Sequence, residues 1–203
     1  MSMKNYVALF KEPQGEAPMI FAFHGTGGDE HQFFSIAQQL VPSAGVVAPR
    51  GDVNEMGAAR FFRRTGEGIY DMDDLAVRTQ KMADFISSFK EEYPDRKFFG
   101  FGYSNGANIL ASVALKHPHL FDGFGLLHPL IPWDPEPVEH LSGKSVLITA
   151  GKRDPICPWP LSEKLIAWFT DQGADVVTDI HSGGHELRQS EISELGRLFN
   201  EQA

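Results

Sequence analysis

A serine hydroxyl attacks a carbonyl only when a neighbouring base takes its proton and that base is itself oriented. Three stretches of this chain carry the residue types for such chemistry. Gly102-Tyr103-Ser104-Asn105-Gly106 matches the pattern G-x-S-x-G. An apolar run, Phe98 to Phe101, precedes it, and Ile109, Leu110, Val113, Ala114 and His117 follow at helical spacing. That order predicts a strand, a sharp turn and a helix, with Ser104 at the turn and glycines two residues either side keeping Cβ atoms out of it. The helix N-terminus beneath the serine favours developing negative charge.

A base and an acid must then come later in the chain, in the order serine, acid, histidine. His185 lies in Ser182-Gly183-Gly184-His185-Glu186-Leu187, a loop between the last predicted strand and the last predicted helix. His117 and His119 fall at the far end of the elbow helix, and His140 lies in a polar loop. Asp154 follows the strand Val146 to Ala150 by a short turn, a better position than Asp134, Asp175 or Asp179. The oxyanion formed by attack needs two N–H donors. Asn105, directly after Ser104, supplies one; Thr26 in His24-Gly25-Thr26-Gly27-Gly28 supplies the other. The same glycines fit no phosphate loop, since neither G-x-x-x-x-G-K-[ST] nor G-x-G-x-x-G occurs. No metal is expected either: His181 and His185 are four apart, but Gly183 and Gly184 disfavour a helix between them.

The elements that must hold these residues alternate. Strands are expected at Tyr6–Phe10 (an edge), Met19–Phe23, Val46–Ala48, Phe98–Phe101, Gly123–Leu127, Ser145–Ala150 and Asp175–Ile180. Helices are expected from Asp29 to about Leu40, from Asp71 to Tyr93, after Ser104, from about Pro160 to Gln172 and from Glu186 to Asn200. This pattern gives one α/β domain spanning residues 1–203, a mainly parallel sheet with helices on both faces and no lid domain. Sites in such sheets lie at the carboxyl ends of the strands. Residues 52–70 read as a long irregular stretch.

Composition narrows the setting. With 203 residues, 42% hydrophobic and 22% charged, the chain has the make-up of a globular protein, and its sixteen phenylalanines read mostly as core. A net charge of −9 argues against a nucleic-acid partner. No apolar stretch approaches about 20 residues, so no membrane span is expected. The N-terminus is too short in apolar residues for a signal peptide, and the single Cys157 fits a reducing, cytoplasmic compartment. Cys157 itself reads as a small buried apolar residue.

Taken together, the His24–Glu30, Arg60–Arg64, Gly102–Asn108, Gly151–Pro158 and Gly184–Leu187 stretches resemble the α/β-hydrolase fold. More narrowly, they resemble the bacterial carboxylesterase/phospholipase family, which includes acyl-protein thioesterases, with the hydroquinone-stress hydrolases as its nearest branch. The resemblance implies Ser104, Asp154 and His185 as a catalytic triad and Thr26 with Asn105 as the oxyanion hole. It also implies a small-molecule ester substrate, no metal or organic cofactor, and often a homodimer. Dienelactone hydrolases are similar but use cysteine where this chain has Ser104. The alternatives are acyl transfer or perhydrolysis on the same triad, or a ligand-binding protein that lost the chemistry.

Without a lid the cleft should be open and suit short or medium acyl groups. Arg60-Phe61-Phe62-Arg63-Arg64 could hold a substrate carboxylate against an aromatic wall, with Arg60, Phe62 and Arg63 as the contacts. The same arginines could instead pair with Asp71, Asp73 and Asp74 or serve a subunit interface. Met56, Leu130 and Ile156, and further Ile131 and Trp159, are candidates for the cleft lining.

Overall fold

The computed structural model describes residues 6–202, so the first five residues of the N-terminal stretch lie outside it. In chain order the elements are β1 (Ala8–Lys11), β2 (Met19–Phe23), α1 (Phe34–Leu40), β3 (Gly45–Pro49), β4 (Val53–Glu55), β5 (Ala58–Arg60), β6 (Arg64–Gly66), β7 (Ile69–Tyr70) and α2 (Met72–Glu92). They continue with β8 (Phe98–Tyr103), α3 (Asn105–Lys116), β9 (Gly123–Leu127), β10 (Ser145–Gly151), α4 (Trp159–Asp171), β11 (Asp175–His181) and α5 (Gln189–Gln202).

Seven strands form one sheet in the order β1-β3-β2-β8-β9-β10-β11. Only the edge strand β1 runs antiparallel to its neighbour. Alternation along β2 shows why helices cover both faces. Met19, Phe21 and Phe23 point into a core shared with α2, α3 and α4, whereas Ile20 and Ala22 point into a second core under α1 and α5. All sixteen phenylalanines except Phe10 and Phe34 are buried, as expected of core residues. Each contributes up to about 3 kcal/mol by area removed from water. Among the described residues, no helix is long and apolar enough to cross a membrane.

Register positions the site. Phe23 sits opposite Gly102, Tyr103 opposite Leu127, and Gly151 opposite His181. The carboxyl ends of these strands are therefore level, and the segments that leave them share one rim.

Three expectations need correction. Helix α1 starts at Phe34 rather than after Asp29, because side chains hold a turn there: Asp29 accepts the His31 N–H at 2.9 Å and Gln32 accepts the Gly25 N–H at 2.8 Å. Helix α5 starts at Gln189 rather than Glu186, whose carboxylate turns back to accept the Gly184 N–H at 2.7 Å. Residues 52–70 are not irregular but hold two short antiparallel hairpins, β4–β5 and β6–β7.

Candidate active site

The turn between β8 and α3 is as tight as the glycine spacing requires. A Cβ on Gly102 would lie 2.4 Å from the Gly106 carbonyl, and one on Gly106 would lie 2.4 Å from the Phe23 oxygen. Ser104 between them has φ +53°, a left-handed conformation that costs a non-glycine residue about 1–3 kcal/mol. Its N–H donates to the Leu127 carbonyl at 2.9 Å and its own carbonyl accepts the Asn108 N–H at 3.0 Å, so strand and helix both fix it.

Ser104 Oγ lies 2.9 Å from His185 Nε2, and His185 Nδ1 lies 2.6 Å from Asp154 Oδ2. The three side chains chosen from sequence thus form one hydrogen-bonded line, although Ser104 and His185 are 81 residues apart. Asp154 Oδ1 accepts the N–H groups of Ile156 at 2.8 Å and Cys157 at 2.9 Å, which locks the carboxylate plane. Burial pushes the Asp154 pKa up, but the Cys157 N–H, both histidines and the Ile156 N–H outweigh it and hold it below the usual value. Tyr103 donates its hydroxyl to the His185 carbonyl and lays its ring 5.2 Å from the imidazole. Burial, with Asp154 and Cys157 nearby, pushes that phenol up to about 12, so it stays a donor.

The loop after β2 is braced from several sides. His24 Nε2 accepts the Gly51 N–H at 2.8 Å, so its Nδ1 carries the proton and donates to the Gly25 carbonyl at 2.7 Å. Gly27 donates to Ala59 at 3.0 Å. Arg60 Nη1 donates to Thr26 Oγ1 at 2.9 Å. Asn105 stands at the first position of α3, where a backbone N–H has no partner within the helix, and its side-chain oxygen accepts the Phe61 N–H at 2.8 Å.

Thr26, Ser104, Asn105 and His185 open onto a cleft of about 400 Å³, whose walls include Arg60, Arg64, Leu130 and Ile156. Three expected contacts lie elsewhere. Met56 is fully exposed at the tip of the β4–β5 hairpin, with φ +50°. Phe62 is wholly buried and packs edge-on against Tyr70. Arg63 turns away to the start of α2, 3.4 Å from Asp71 and 3.5 Å from Asp74. The pairing alternative holds for Arg63, while Arg64, paired with Glu55 at 2.8 Å, takes the place in the cleft wall that was expected of Arg63. Asp73 is exposed and takes no part. Ile131 is buried core, and Trp159 stacks under Lys152. Arg60 is 4% exposed, and burial lowers its pKa.

Sequence reasoning missed a group behind the acid. His128, Glu191, Thr149 and His181 are buried around Asp154. His128 Nδ1 lies 3.0 Å from Asp154 Oδ2, the oxygen already bonded to His185, and its Nε2 lies 3.3 Å from Glu191. His128 is the first residue after β9, so the strand-end rule that selected Asp154 could have found it. His128, His181 and Glu191 bring three metal-type donor atoms within 4.8 Å of one another. However, His181 Nδ1 accepts the Gly183 N–H at 3.0 Å, so the neutral ring carries its proton on Nε2, the nitrogen facing Glu191. No lone pair is left there for a cation.

No family model matches the chain. It is 37% identical over 185 residues to MhqD of Bacillus subtilis (strain 168), which is named as a hydrolase; the match covers 90% of this chain and 92% of MhqD. Its fold is similar to the crystal structure of Atu2452 from Agrobacterium tumefaciens str. C58, a protein of unknown function, with TM-score 0.92 and 47% identity over 100% of both chains. The Bacillus cereus carboxylesterase is similar with TM-score 0.92 and 33% identity, over 98% of this chain and 96% of that one. The strand order, the rim site and these likenesses define a carboxylesterase-type hydrolase. The chain belongs to the α/β-hydrolase family of bacterial carboxylesterases, on the branch that contains MhqD.

Proposed function

We propose that the protein cleaves small carboxylic esters or thioesters through an acyl-enzyme on Ser104. The observation that carries this reading is the continuous line from Ser104 Oγ through His185 to Asp154, at the floor of a cleft that admits a small substrate. His185 Nε2 takes the hydroxyl proton as Oγ bonds to the carbonyl carbon, and the carbonyl electron pair moves onto oxygen. The N–H groups of Thr26 and Asn105 hold that oxyanion, each worth about 3–4 kcal/mol. The oxyanion then collapses, the bond to the alcohol or thiol breaks, and the leaving group takes the proton from His185. Water, deprotonated by the same imidazole, releases the acid and frees Ser104.

Arg60 favours substrates that bear a carboxylate. Its guanidinium is buried in the cleft wall, and its nearest acid, Glu55 at 3.6 Å, is already bonded to Arg64. A substrate anion would complete its pairing.

A fluorophosphonate probe and a series of p-nitrophenyl esters test the reading. Stoichiometric labelling of Ser104 and turnover of short esters are expected. An unlabelled serine at neutral pH would leave a ligand-binding protein as the better account, and transfer to added alcohols in preference to water would favour an acyltransferase.

A further inference from the structure

Asp154 Oδ2 faces two imidazole nitrogens, His185 Nδ1 at 2.6 Å and His128 Nδ1 at 3.0 Å. An acceptor shared in this way requires a proton on both. With Nδ1 protonated, a neutral His128 would turn the lone pair of Nε2 onto the Glu191 carboxylate, 3.3 Å from one oxygen and 3.4 Å from the other. That contact is repulsive unless Nε2 also carries a proton. Glu191 is meanwhile supplied with donors suited to a carboxylate: the Thr149 hydroxyl at 2.6 Å and the Arg188 N–H at 3.0 Å.

We propose that His128 is a positioning residue: a buried imidazolium clamped between Asp154 and Glu191, which fixes the carboxylate oxygen on His185 and, by its charge, keeps His185 able to accept a proton at lower pH. The inference rests on the triad reading above. The His128 and His185 ring centres are 5.3 Å apart, close enough for one charge to bear on the other. Around His128, the loop after β10 presents Asp154 and Cys157, α5 presents Glu191, the end of β11 presents His181, the following loop presents His185, and β8 presents Tyr103. Burial pulls the His128 pKa down, and Glu191 with Asp154 more than reverses this, leaving it above the ordinary imidazole value. His128 also has φ +50°, which a residue adopts only where its surroundings hold it, and its N–H donates to the Thr149 carbonyl at 3.1 Å.

The test separates charge from position. Asparagine tolerates a positive φ and carries an N–H where the Nδ1–H of histidine lies, but it has no charge. His128→Asn should therefore keep kcat on the plateau within a few-fold and move the acidic limb of kcat/KM up by about one pH unit. His128→Leu should move the limb likewise and also lower the plateau about tenfold or more. An acidic limb that stays in place in both variants would overturn the proposal, because a merely structural role predicts lower stability at an unchanged limb. Nitrogen NMR of the histidine-labelled wild type decides the matter without any variant. His128 should show two protonated ring nitrogens at pH 7.5, and an unprotonated Nε2 would overturn the inference alone. Failure of the wild type to label with fluorophosphonate would overturn the triad reading and, with it, this role.

Discussion

On one side of Ser104 the charged groups lie inside the protein; on the other they are carried by two short hairpins at the rim. Asp154, Glu191 and His128 have no exposed side-chain surface and are held by strand ends, by α5 and by main-chain donors. Among the arginines opposite, Arg63 is 61% exposed and Arg64 34%, and their partners Asp71 and Glu55 are part exposed. Buried ions are costly unless fully partnered, so removing one member leaves a large unpaired penalty, whereas an exposed pair is screened by water. The inner side should therefore govern rate and stability together, and the outer side should act on specificity alone.

The largest effect should come from the residue both sides share. Ser104→Ala is expected to lower kcat by roughly 10⁴–10⁶-fold. The melting temperature should stay level or rise, because the left-handed backbone there is a strained conformation that adds nothing to stability. Turnover of p-nitrophenyl esters and a calorimetric scan check both halves.

Glu191→Gln tests the inner side. It leaves His128 with one ionic partner and should cost about 3–5 kcal/mol, a fall in melting temperature on the order of 10 °C. The pH dependence has a definite sign. Burial pushes Glu191 and Asp154 up, but their donors hold both below the ordinary carboxylate value. Their contribution is thus present above the unfolded pKa near 4 and lost as pH falls through the lower folded values. His128 is held above its ordinary value, so its share is full below about pH 6.5 and lost as pH rises through the raised one. Melting curves from pH 8 to pH 3 should show a steep acid-side fall in the wild type and a shallower one, from a lower start, in Glu191→Gln.

The same contrast explains what could be read from sequence. Ser104, Asp154 and His185 each leave the carboxyl end of a strand, and the apolar runs of β8 and β10 are unmistakable, so topology alone brings the three to one rim. The strand and helix order, and with it the fold class, followed from the same runs. The Glu191 contact was invisible, because a glutamate three residues into a helix looks like any first-turn acid until β9 delivers His128 beside it. On the outer side, five consecutive residues were read as one cluster, yet the turn at Phe61 to Arg63 sends neighbours in opposite directions. Arg60 and Arg64 face the cleft, Phe62 the core and Arg63 the helix. Spacing alone could not split them, since the two hairpins are too short to impose a readable alternation.

That division is the basis of the specificity test. If Arg60 receives a substrate carboxylate, Arg60→Gln should raise KM for an acidic ester about tenfold and leave a neutral ester of equal size within twofold. An equal loss of kcat on both esters would instead mean that the bond from Arg60 to Thr26 matters for the shape of the oxyanion loop.

Arg63 supplies the control, and the smallest expected change. Its Nε contacts Asp71 and Asp74 at 3.4 and 3.5 Å, and Asp74 also accepts the Arg63 main-chain N–H at 2.7 Å, a bond that survives loss of the side chain. Asp74 keeps Arg78 as a second partner at 3.2 Å. Arg63→Ala should therefore cost less than about 1 kcal/mol and leave kcat and KM for acidic and neutral esters as they were. A selective rise in KM for the acidic ester in Arg63→Ala would mean that Arg63 swings into the cleft on binding, and the two halves of the arginine stretch would then act as one after all.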